Sequence, residues 1–240
     1  MNKGSLSILH LYPNEMNMYG DYGNLLTLRR RAEWHGYSVT VHYHHPGKKL
    51  LTDVDIIIGG GGQDSGQTVV MQDLLRHGQA LRNLSADGFP MLMVCGLYQL
   101  FGHRFVTSDS GTLEGIGVFD AETLAGPKRL IGNIVTESAI FAEVIGYENH
   151  SGLTHLLGTQ KPFARVKKGA GNNGQDHYEG AVSDNTIGTY LHGSLLPKNP
   201  AVADFLIEVA AMRKYGEFEP TVIDDRFAEL ARAVARRRPR

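Results

Sequence analysis

A single cysteine follows an apolar run near the middle of the chain. Residues 89–94 (FPMLMV) have a strand-like pattern, Cys95 comes next, and GLYQL then begins a helix-like segment. A nucleophile at a sharp turn between strand and helix projects from the carboxyl edge of a parallel sheet, where ligands bind in open α/β folds. The N-terminal end of the helix favours the reactive thiolate. The pattern predicts a nucleophilic Cys95, with a buried structural cysteine as the alternative.

A late histidine ends a second predicted strand. Residues 186–191 read as a strand, and His192 and Gly193 follow directly. Because the ends of parallel strands meet at one edge of a sheet, we expect His192 to lie close to Cys95. A thiol and an imidazole brought together in this way form a pair suited to nucleophilic catalysis.

The other histidines are less informative. The chain has eleven histidines, and three of them cluster at His42, His44 and His45. Alternation along a strand explains this cluster better than metal binding does. The sequence predicts no metal site.

A run of four glycines, Gly59–Gly62, follows the apolar residues 56–58. Glycines permit a positive φ and a close approach of the backbone, so their N–H groups can face a developing oxyanion. A purely structural tight turn is the alternative. The run fits neither the phosphate-binding GxxxxGK(S/T) loop nor GxGxxG followed by a helix.

The elements that must position these residues alternate between strands and helices. Apolar runs at 6–11, 37–43, 56–58 and 89–94 are separated by amphipathic segments, of which the first is capped by Asp21 or Asn24 and ended by Gly36. Residues 108–179 read as Gly-rich text with short strands, and 201–214 read as a helix. The pattern predicts an α/β fold with a mostly parallel sheet and helices on both faces.

Composition sets the class of protein. A chain of 240 residues with 42% hydrophobic content forms one large domain, which we place at 1–215, with an extension at 216–240. One cysteine excludes an intramolecular disulfide and favours a reducing compartment. We expect a cytoplasmic protein without a signal peptide or a membrane span, and no nucleic-acid binding. Residues 226–240 carry six arginines and one glutamate, which predicts a basic, disordered end; contact with anionic lipid or a partner is the alternative.

Seven segments in this order resemble the class I (triad-type) glutamine amidotransferases, which have a flavodoxin-like fold. Within that class they are similar to the cobyric-acid-synthase-like branch, and there to the glutaminase subunits of lipid II isoglutaminyl synthases. The segments are LYPNEMNMYGDYGN (11–24), GGGGQD (59–64), VCGLYQLFG (94–102), KRLIGNI (128–134), GYENHSG (146–152), GNNGQDHYEGA (171–181) and GTYLHGSLLPKNP (188–200).

The resemblance implies roles for particular residues. Cys95 would be the nucleophile and His192 the general base and acid. The oxyanion hole would be formed by Gly60, Gly61 and Gly96. Glutamine would be bound by Gln99, Arg129, Asn149 and His150. For Asn149 and His150 a structural loop contact is the alternative. Three positions depart from the broader class, because Met93 and Leu97 replace the glycines that flank the nucleophile turn and Ser194 replaces a glutamate.

The resemblance also implies a partner. The chain would hydrolyse L-glutamine and pass ammonia to a Mur-ligase-like subunit in a heterodimer. That subunit, not this chain, would use ATP and Mg²⁺ to amidate the D-glutamate of lipid II at the inner face of the membrane. With Ser194 in the expected acid position, we predict that the partner supplies or positions the carboxylate for His192, with Glu15, Glu148 and Glu179 as candidates within the chain. The alternatives are an amidotransferase of a corrin precursor, a catalytically silent regulatory subunit and a cysteine hydrolase of other substrates.

Overall fold

The computed structural model describes residues 3–62, 64–109 and 111–239. Gln63 of the glycine-rich motif and Arg240 of the basic tail lie outside the described residues. In chain order the elements are β1 (Ser5–Leu11), α1 (Tyr22–Trp34), β2 (Ser38–His44), β3 (Ile56–Gly59), α2 (Asp64–Ala86), β4 (Met91–Val94), α3 (Gly96–Phe101), β5 (Arg104–Val106), β6 (Thr112–Glu114), β7 (Ala121–Ser138), β8 (Ala142–Leu156), β9 (Ala164–Lys168), β10 (Tyr178–Glu179), β11 (Ala181–Ser183), β12 (Thr186–Thr189), α4 (Leu195–Lys198), α5 (Pro200–Tyr215) and α6 (Arg226–Arg237).

The first sheet has the strand order β11-β12-β4-β3-β1-β2. Its neighbours pair in parallel, except for the antiparallel pair of β11 and β12. Every residue of β3, β4 and β12 is buried, as expected for central strands covered on both faces. Helix α1 contacts α4 and α5, whereas α2 contacts α3. The predicted α/β fold with a mostly parallel sheet is confirmed.

Helix α1 shows how local sequence sets an element. Leu25, Leu28 and Ala32 are buried at helical spacing. Gly36 follows the helix with a φ of +98°, a left-handed conformation that favours glycine, and its N–H donates to the carbonyl of Glu33. The predicted end of this helix is therefore confirmed.

The second sheet differs from the expectation of short strands in 108–179. Its order is β10-β9-β7-β5-β6, with β8 also paired to β7. Strands β7 and β8 are 18 and 15 residues long. Their antiparallel register shifts between Ala125 and Leu130, around Gly126 and Pro127. This bulge interrupts the alternation of buried and exposed residues, so the sequence pattern looks like that of separate short strands.

The basic C-terminal end forms helix α6, where the sequence predicts disorder. Arg232 donates to the carbonyl of Glu143 at 2.9 Å and to Oδ1 of Asn199 at 2.9 Å, and Arg236 pairs with the Glu143 carboxylate. These contacts hold the helix against β8, an outcome that arginine content alone does not indicate. Among the described residues, no helix is long and apolar enough to cross a membrane.

A buried arginine ties the first helix to the C-terminal part of the chain. The Arg31 side chain is 4% exposed, and its guanidinium donates two hydrogen bonds to Asp204, at 2.6 and 2.7 Å. It also donates to Asp225 at 2.6 and 3.1 Å. Helices α1 and α5 and the start of α6 thus share one guanidinium.

Replacing Arg31 by alanine should lower the free energy of unfolding by about 3 kcal/mol. This value lies at the lower end of the range for broken buried ion pairs, because both partner carboxylates are 32% exposed. Urea denaturation measures the change. As a control, Arg29→Ala removes an exposed pair with Glu33 and should cost no more than about 0.5 kcal/mol. Equal effects of the two variants would contradict the assignment.

Candidate active site

Cys95 occupies a strained turn between β4 and α3. Its φ of +51° and ψ of −104° are unusual for a residue with a side chain. The Cys95 N–H donates to the carbonyl of Thr189 at 2.8 Å, which ties the turn to the end of β12. The thiol is buried, with 6% of the residue exposed. Backbone strain of this kind clusters at functional sites, where the surrounding structure maintains it.

His192 lies three residues beyond the end of β12. Because β12 pairs in parallel with β4, with Thr189 opposite Val94, the chain segments that hold His192 and Cys95 leave the sheet side by side. The His192 backbone forms a bridge to Tyr147 of β8, with its N–H 2.7 Å from the Tyr147 carbonyl. The imidazole is therefore fixed where the two sheets meet.

The glycine run fits between these two residues. A Cβ built on Gly61 would lie 2.8 Å from Cβ of Cys95 and 3.0 Å from Cε1 of His192. One on Gly60 would lie 2.7 Å from Cβ of Asp21. Real Cβ atoms do not approach so closely, and none of the four glycines has a positive φ. Close packing, not an unusual turn conformation, requires glycine here.

Asp21 brings a carboxylate to His192. Oδ1 of Asp21 lies 3.5 Å from Nδ1 of His192, and Oδ2 accepts a hydrogen bond from the Gly61 N–H at 2.8 Å. The contact with His192 is longer than a good hydrogen bond, as is common for catalytic contacts without substrate. The sequence assigned Asp21 to the cap of α1, but its side chain makes no capping hydrogen bond. The sequence did not propose this carboxylate for His192, and an acid supplied or positioned by the partner stays a prediction.

The other groups suggested for orienting His192 have different partners. Ser194 Oγ donates to the carbonyl of Gly20 at 2.7 Å. Glu148 accepts from the backbone N–H groups of Ala170 and Gly171, and Glu179 from Thr189 and the Tyr190 N–H. Both glutamates therefore brace backbone segments.

The charge state of His192 follows from its surroundings. Burial alone lowers its pKa, but the attraction of Cys95 and Asp21 outweighs burial and raises the pKa to about 10. The imidazole is then protonated at neutral pH. His192 can therefore donate a proton to a leaving group.

A cavity of about 360 Å³ opens beside Cys95. It contains all four residues that the resemblance assigns to glutamine binding. Its lining comprises Met18, Tyr19, Gly62, Gln67, Cys95, Gln99, Phe105, Arg129, Asn149, His150 and Ser151.

Arg129 stands in the bulge of β7 and reaches this cavity. Its Nε donates to Oδ1 of Asn149 at 3.1 Å, and one terminal nitrogen donates to the hydroxyl of Tyr19 at 2.9 Å. The ring of Tyr19 lies 4.6 Å from that of His192. Tyr19 thus connects the guanidinium with the imidazole.

Gln99 and His150 also line the cavity, but they bind neighbouring side chains. Gln99 accepts from Gln67 at 2.7 Å and donates to Tyr190 at 3.0 Å. The ring of His150 stacks on Tyr190 at 3.6 Å, and its Nδ1 is 2.7 Å from the carbonyl of Gly152. Burial lowers the pKa of His150 to about 3, so the ring is neutral and Nδ1–H is the donor. Both residues hold the cavity wall.

The structure shows how two of the glycines assigned to the oxyanion hole are bonded. The Gly61 N–H is used by Asp21, and the Gly60 carbonyl accepts from the Leu97 N–H at 3.3 Å. The Leu97 side chain packs against Gly59, where a Cβ would overlap it. The space beside Gly59 explains how the turn accommodates Leu97 in place of glycine.

Sequence reasoning missed the places of Asp21 and Tyr19 at the site. Both belong to LYPNEMNMYGDYGN, in which the sequence indicated only a helix-capping role for Asp21. The presence of this segment, the loop before α1, among the seven matching segments was the signal that could have indicated its place at the site. Its packing is visible in the contacts of Met16 and Asp21 with the glycine run.

Comparisons with known proteins identify the family of this chain. The model of the CobB/CobQ-like glutamine amidotransferase domain matches residues 7–200. Subunit GatD of a lipid II isoglutaminyl synthase (glutamine-hydrolyzing) from Staphylococcus aureus (strain N315) is 39% identical over 231 residues, which are 95% of this chain and 94% of that protein. The subunit of the same name from Streptococcus pneumoniae (strain ATCC BAA-255 / R6) is 38% identical over 219 residues, 88% of this chain and 83% of that protein.

The fold agrees as well. A solved glutamine amidotransferase from Thermotoga maritima has a TM-score of 0.56 at 15% identity, covering 96% of this chain and 93% of that one. At this identity the likeness concerns the fold alone. The family match spans most of the sequence, including both Cys95 and His192. The chain therefore belongs to the CobB/CobQ-like glutamine amidotransferase family.

Proposed function

We propose that this chain is the glutaminase subunit of a lipid II isoglutaminyl synthase. The observation that carries the chemistry is the meeting of Cys95, His192 and Asp21 at one sheet edge beside the cavity. The observation that carries the pathway is similarity along nearly the full length of the GatD subunit named above.

The reaction begins with attack of the Cys95 thiolate on the side-chain amide carbon of L-glutamine. The C=O π electrons move to oxygen and form a tetrahedral oxyanion. His192, held as an imidazolium by its raised pKa, gives its proton to the departing nitrogen, and ammonia leaves as the thioester forms. Because the Asp21 carboxylate faces Nδ1 of His192, the proton is transferred through Nε2, which faces the thiol and the leaving group.

The oxyanion is stabilised by the N–H groups of Gly96 and Gly62 in this mechanism. The Gly96 N–H begins α3, where N–H groups have no partner within the helix. The nitrogen of Gly62, a cavity residue, lies 3.1 Å from the Cβ position of Gly96. The Gly61 N–H instead fixes Asp21. Both groups belong to Gly96 and the Gly59–Gly62 turn, where the sequence predicts the oxyanion hole.

Hydrolysis of the thioester restores the thiolate. Neutral His192 takes a proton from water and the hydroxide adds to the thioester carbon. The C–S bond then breaks, which releases glutamate and returns Cys95 as a thiolate beside the His192 imidazolium. In the substrate complex, the Arg129 guanidinium binds the α-carboxylate of glutamine. Asn149 and Tyr19 accept hydrogen bonds from the guanidinium and orient it.

Ammonia passes to a second subunit in the same complex. That partner is a Mur-ligase-like protein that activates the D-glutamate carboxyl of lipid II with ATP and Mg²⁺, giving D-isoglutamine. The 240 residues contain no GxxxxGK(S/T) sequence, which fits ATP use elsewhere. Transfer within the complex, at the inner face of the membrane, would protect ammonia from protonation in bulk water.

The complex of this chain with its ligase should transfer ¹⁵N from amide-labelled glutamine to lipid II. Cys95→Ala and His192→Ala should each reduce the transfer by at least about 10³-fold, because catalytic units fail as wholes. Mass spectrometry of the stem peptide measures the label. Ammonium chloride should restore amidation in both variants, since the ligase site is untouched.

The control for this experiment is His42→Ala, a histidine on β2 outside the cavity, which should transfer label as the wild type does. Label transfer by Cys95→Ala at the wild-type rate would remove the proposed chemistry. Glutamine hydrolysis without any amidation of lipid II would support the glutaminase activity but contradict lipid II as the acceptor.

Arg129→Ala should raise the KM for glutamine with a smaller change in kcat, because the α-carboxylate lies away from the reacting amide. A loss of about 10- to 100-fold in kcat/KM corresponds to a charged hydrogen bond of about 1.5–3 kcal/mol. Initial rates of glutamate release measure both constants. Lys128→Ala is the matched control, as the adjacent cation outside the cavity. Equal effects of both variants would show that Arg129 acts only as a surface charge and does not bind the α-carboxylate.

Asp21→Asn should move the alkaline limb of the kcat/KM profile to lower pH. Asp21 helps to raise the pKa of His192, so the imidazolium persists below about pH 10 and is lost above it. Asparagine can still accept from the Gly61 N–H but carries no charge, so the pKa falls and the proton is lost earlier.

The matched control is Asp55→Asn, whose carboxylate accepts from the Ser7 N–H at 2.7 Å at the start of β1. It should leave the limb in place even if it lowers stability. An unshifted limb in Asp21→Asn, with wild-type rates, would exclude a role of Asp21 in the proton transfer.

A further inference from the structure

A second cluster of chemically active side chains lies at the end of β2, the outermost strand of the first sheet. His44 ends β2, while Asp73 and His77 are one helical turn apart on α2. One ligand atom from each of the three lies within 4.8 Å of the others. Nothing in the glutaminase mechanism uses these residues.

The distances resemble the edges of a coordination polyhedron. Nε2 of His44 is 2.8 Å from Oδ2 of Asp73, and Nε2 of His77 is 3.8 Å from the same oxygen. The Lys48 carbonyl oxygen is 3.3 Å from Nε2 of His77. A tetrahedral Zn²⁺ with bonds of about 2.0–2.1 Å separates its ligand atoms by about 3.3 Å. The three measured separations therefore lie within about 0.5 Å of that spacing.

The carboxylate is held in place by further donors. The Tyr12 hydroxyl donates to Oδ2 of Asp73 at 2.9 Å, and the Gly47 N–H donates to Oδ1 at 2.8 Å. Outer hydrogen bonds of this kind orient metal ligands and strengthen binding. The Asp73 and His44 side chains are 3% and 1% exposed, whereas His77 is 20% exposed and provides an entry path.

The surrounding charge permits a cation. The Arg76 guanidinium lies 4.0 Å from Oδ1 of Asp73, not from the Oδ2 that faces the histidines, and its side chain is 67% exposed. The pair of His35 and Asp204, by contrast, shares its carboxylate with the buried Arg31 guanidinium. The exposed pair of His103 and Asp120 belongs to no group of three such ligands in the described part of the chain.

We propose that His44, Asp73 and His77, with the Lys48 carbonyl, bind one divalent transition metal, with zinc as the natural ion. Two imidazoles and two oxygens suit the borderline softness of Zn²⁺. The metal joins β2 to α2, the helix that follows the glycine run. The sequence predicted no metal here because His42, His44 and His45 were read as part of a strand. Strand β2 includes His42 and His44 but ends before His45, and the other two side-chain ligands lie on helix α2.

Two titrations of the chelator-treated full chain test the proposal. Isothermal titration calorimetry follows the binding of Zn²⁺, and visible absorption follows the binding of Co²⁺. We expect one equivalent to bind, with the visible absorption of four-coordinate Co²⁺. His77→Ala should weaken binding by at least about 100-fold, and Tyr12→Phe, which removes only an outer hydrogen bond, by about 10-fold. Zn²⁺ should raise the Tm of the wild type but not that of His77→Ala.

The control is His103→Ala, which removes the exposed histidine of a His–Asp pair and should bind as the wild type does. His77 is the chosen ligand because its partial exposure allows the variant to fold, which circular dichroism checks. The proposal fails if the wild type shows no saturable binding, if His77→Ala binds equally well, or if His103→Ala removes the binding. None of these readouts depends on glutaminase activity.

Discussion

The parallel pairing of β3, β4 and β12 is the constraint on which the active site depends. These central strands end together, so the glycine run, Cys95 and the segment leading to His192 emerge at one edge. The pairing also supplies the Thr189 carbonyl that holds the Cys95 N–H in its strained turn. A slip of one residue between β12 and β4 would turn the buried side chains to the other face and separate thiol from imidazole.

Asp21 extends that constraint to a loop outside the sheet. One oxygen faces His192 and the other accepts from Gly61, so the loop between β1 and α1 packs against the base and the glycine run together. The absence of side chains at Gly60 and Gly61 allows this approach. The second sheet completes the site by presenting Arg129 from a bulge and Tyr147 as the backbone partner of His192.

The parts of this site that follow from local pattern could be predicted from the sequence. Cys95 and His192 each end an apolar run, and the order of the runs requires a parallel sheet. Asp21 could not be identified in the same way, because an aspartate before an amphipathic segment reads first as a helix cap. The long strands β7 and β8 were hidden by their bulge, and the direction of the Gly61 N–H depends on a carboxylate 40 residues earlier. Resemblance located the motifs, but only tertiary packing shows which atoms meet.

The burial of the one cysteine has a consequence for oxidation chemistry. Thiolates are the cysteines most readily converted to sulfenic acid, and a nearby second cysteine normally rescues them as a disulfide. These 240 residues contain no second cysteine, so an oxidised Cys95 can be restored only by a thiol from outside the chain. With 6% of Cys95 exposed, that thiol and the oxidant must enter through the same cavity. Glutamine bound in this cavity therefore protects the Cys95 sulfur from oxidation.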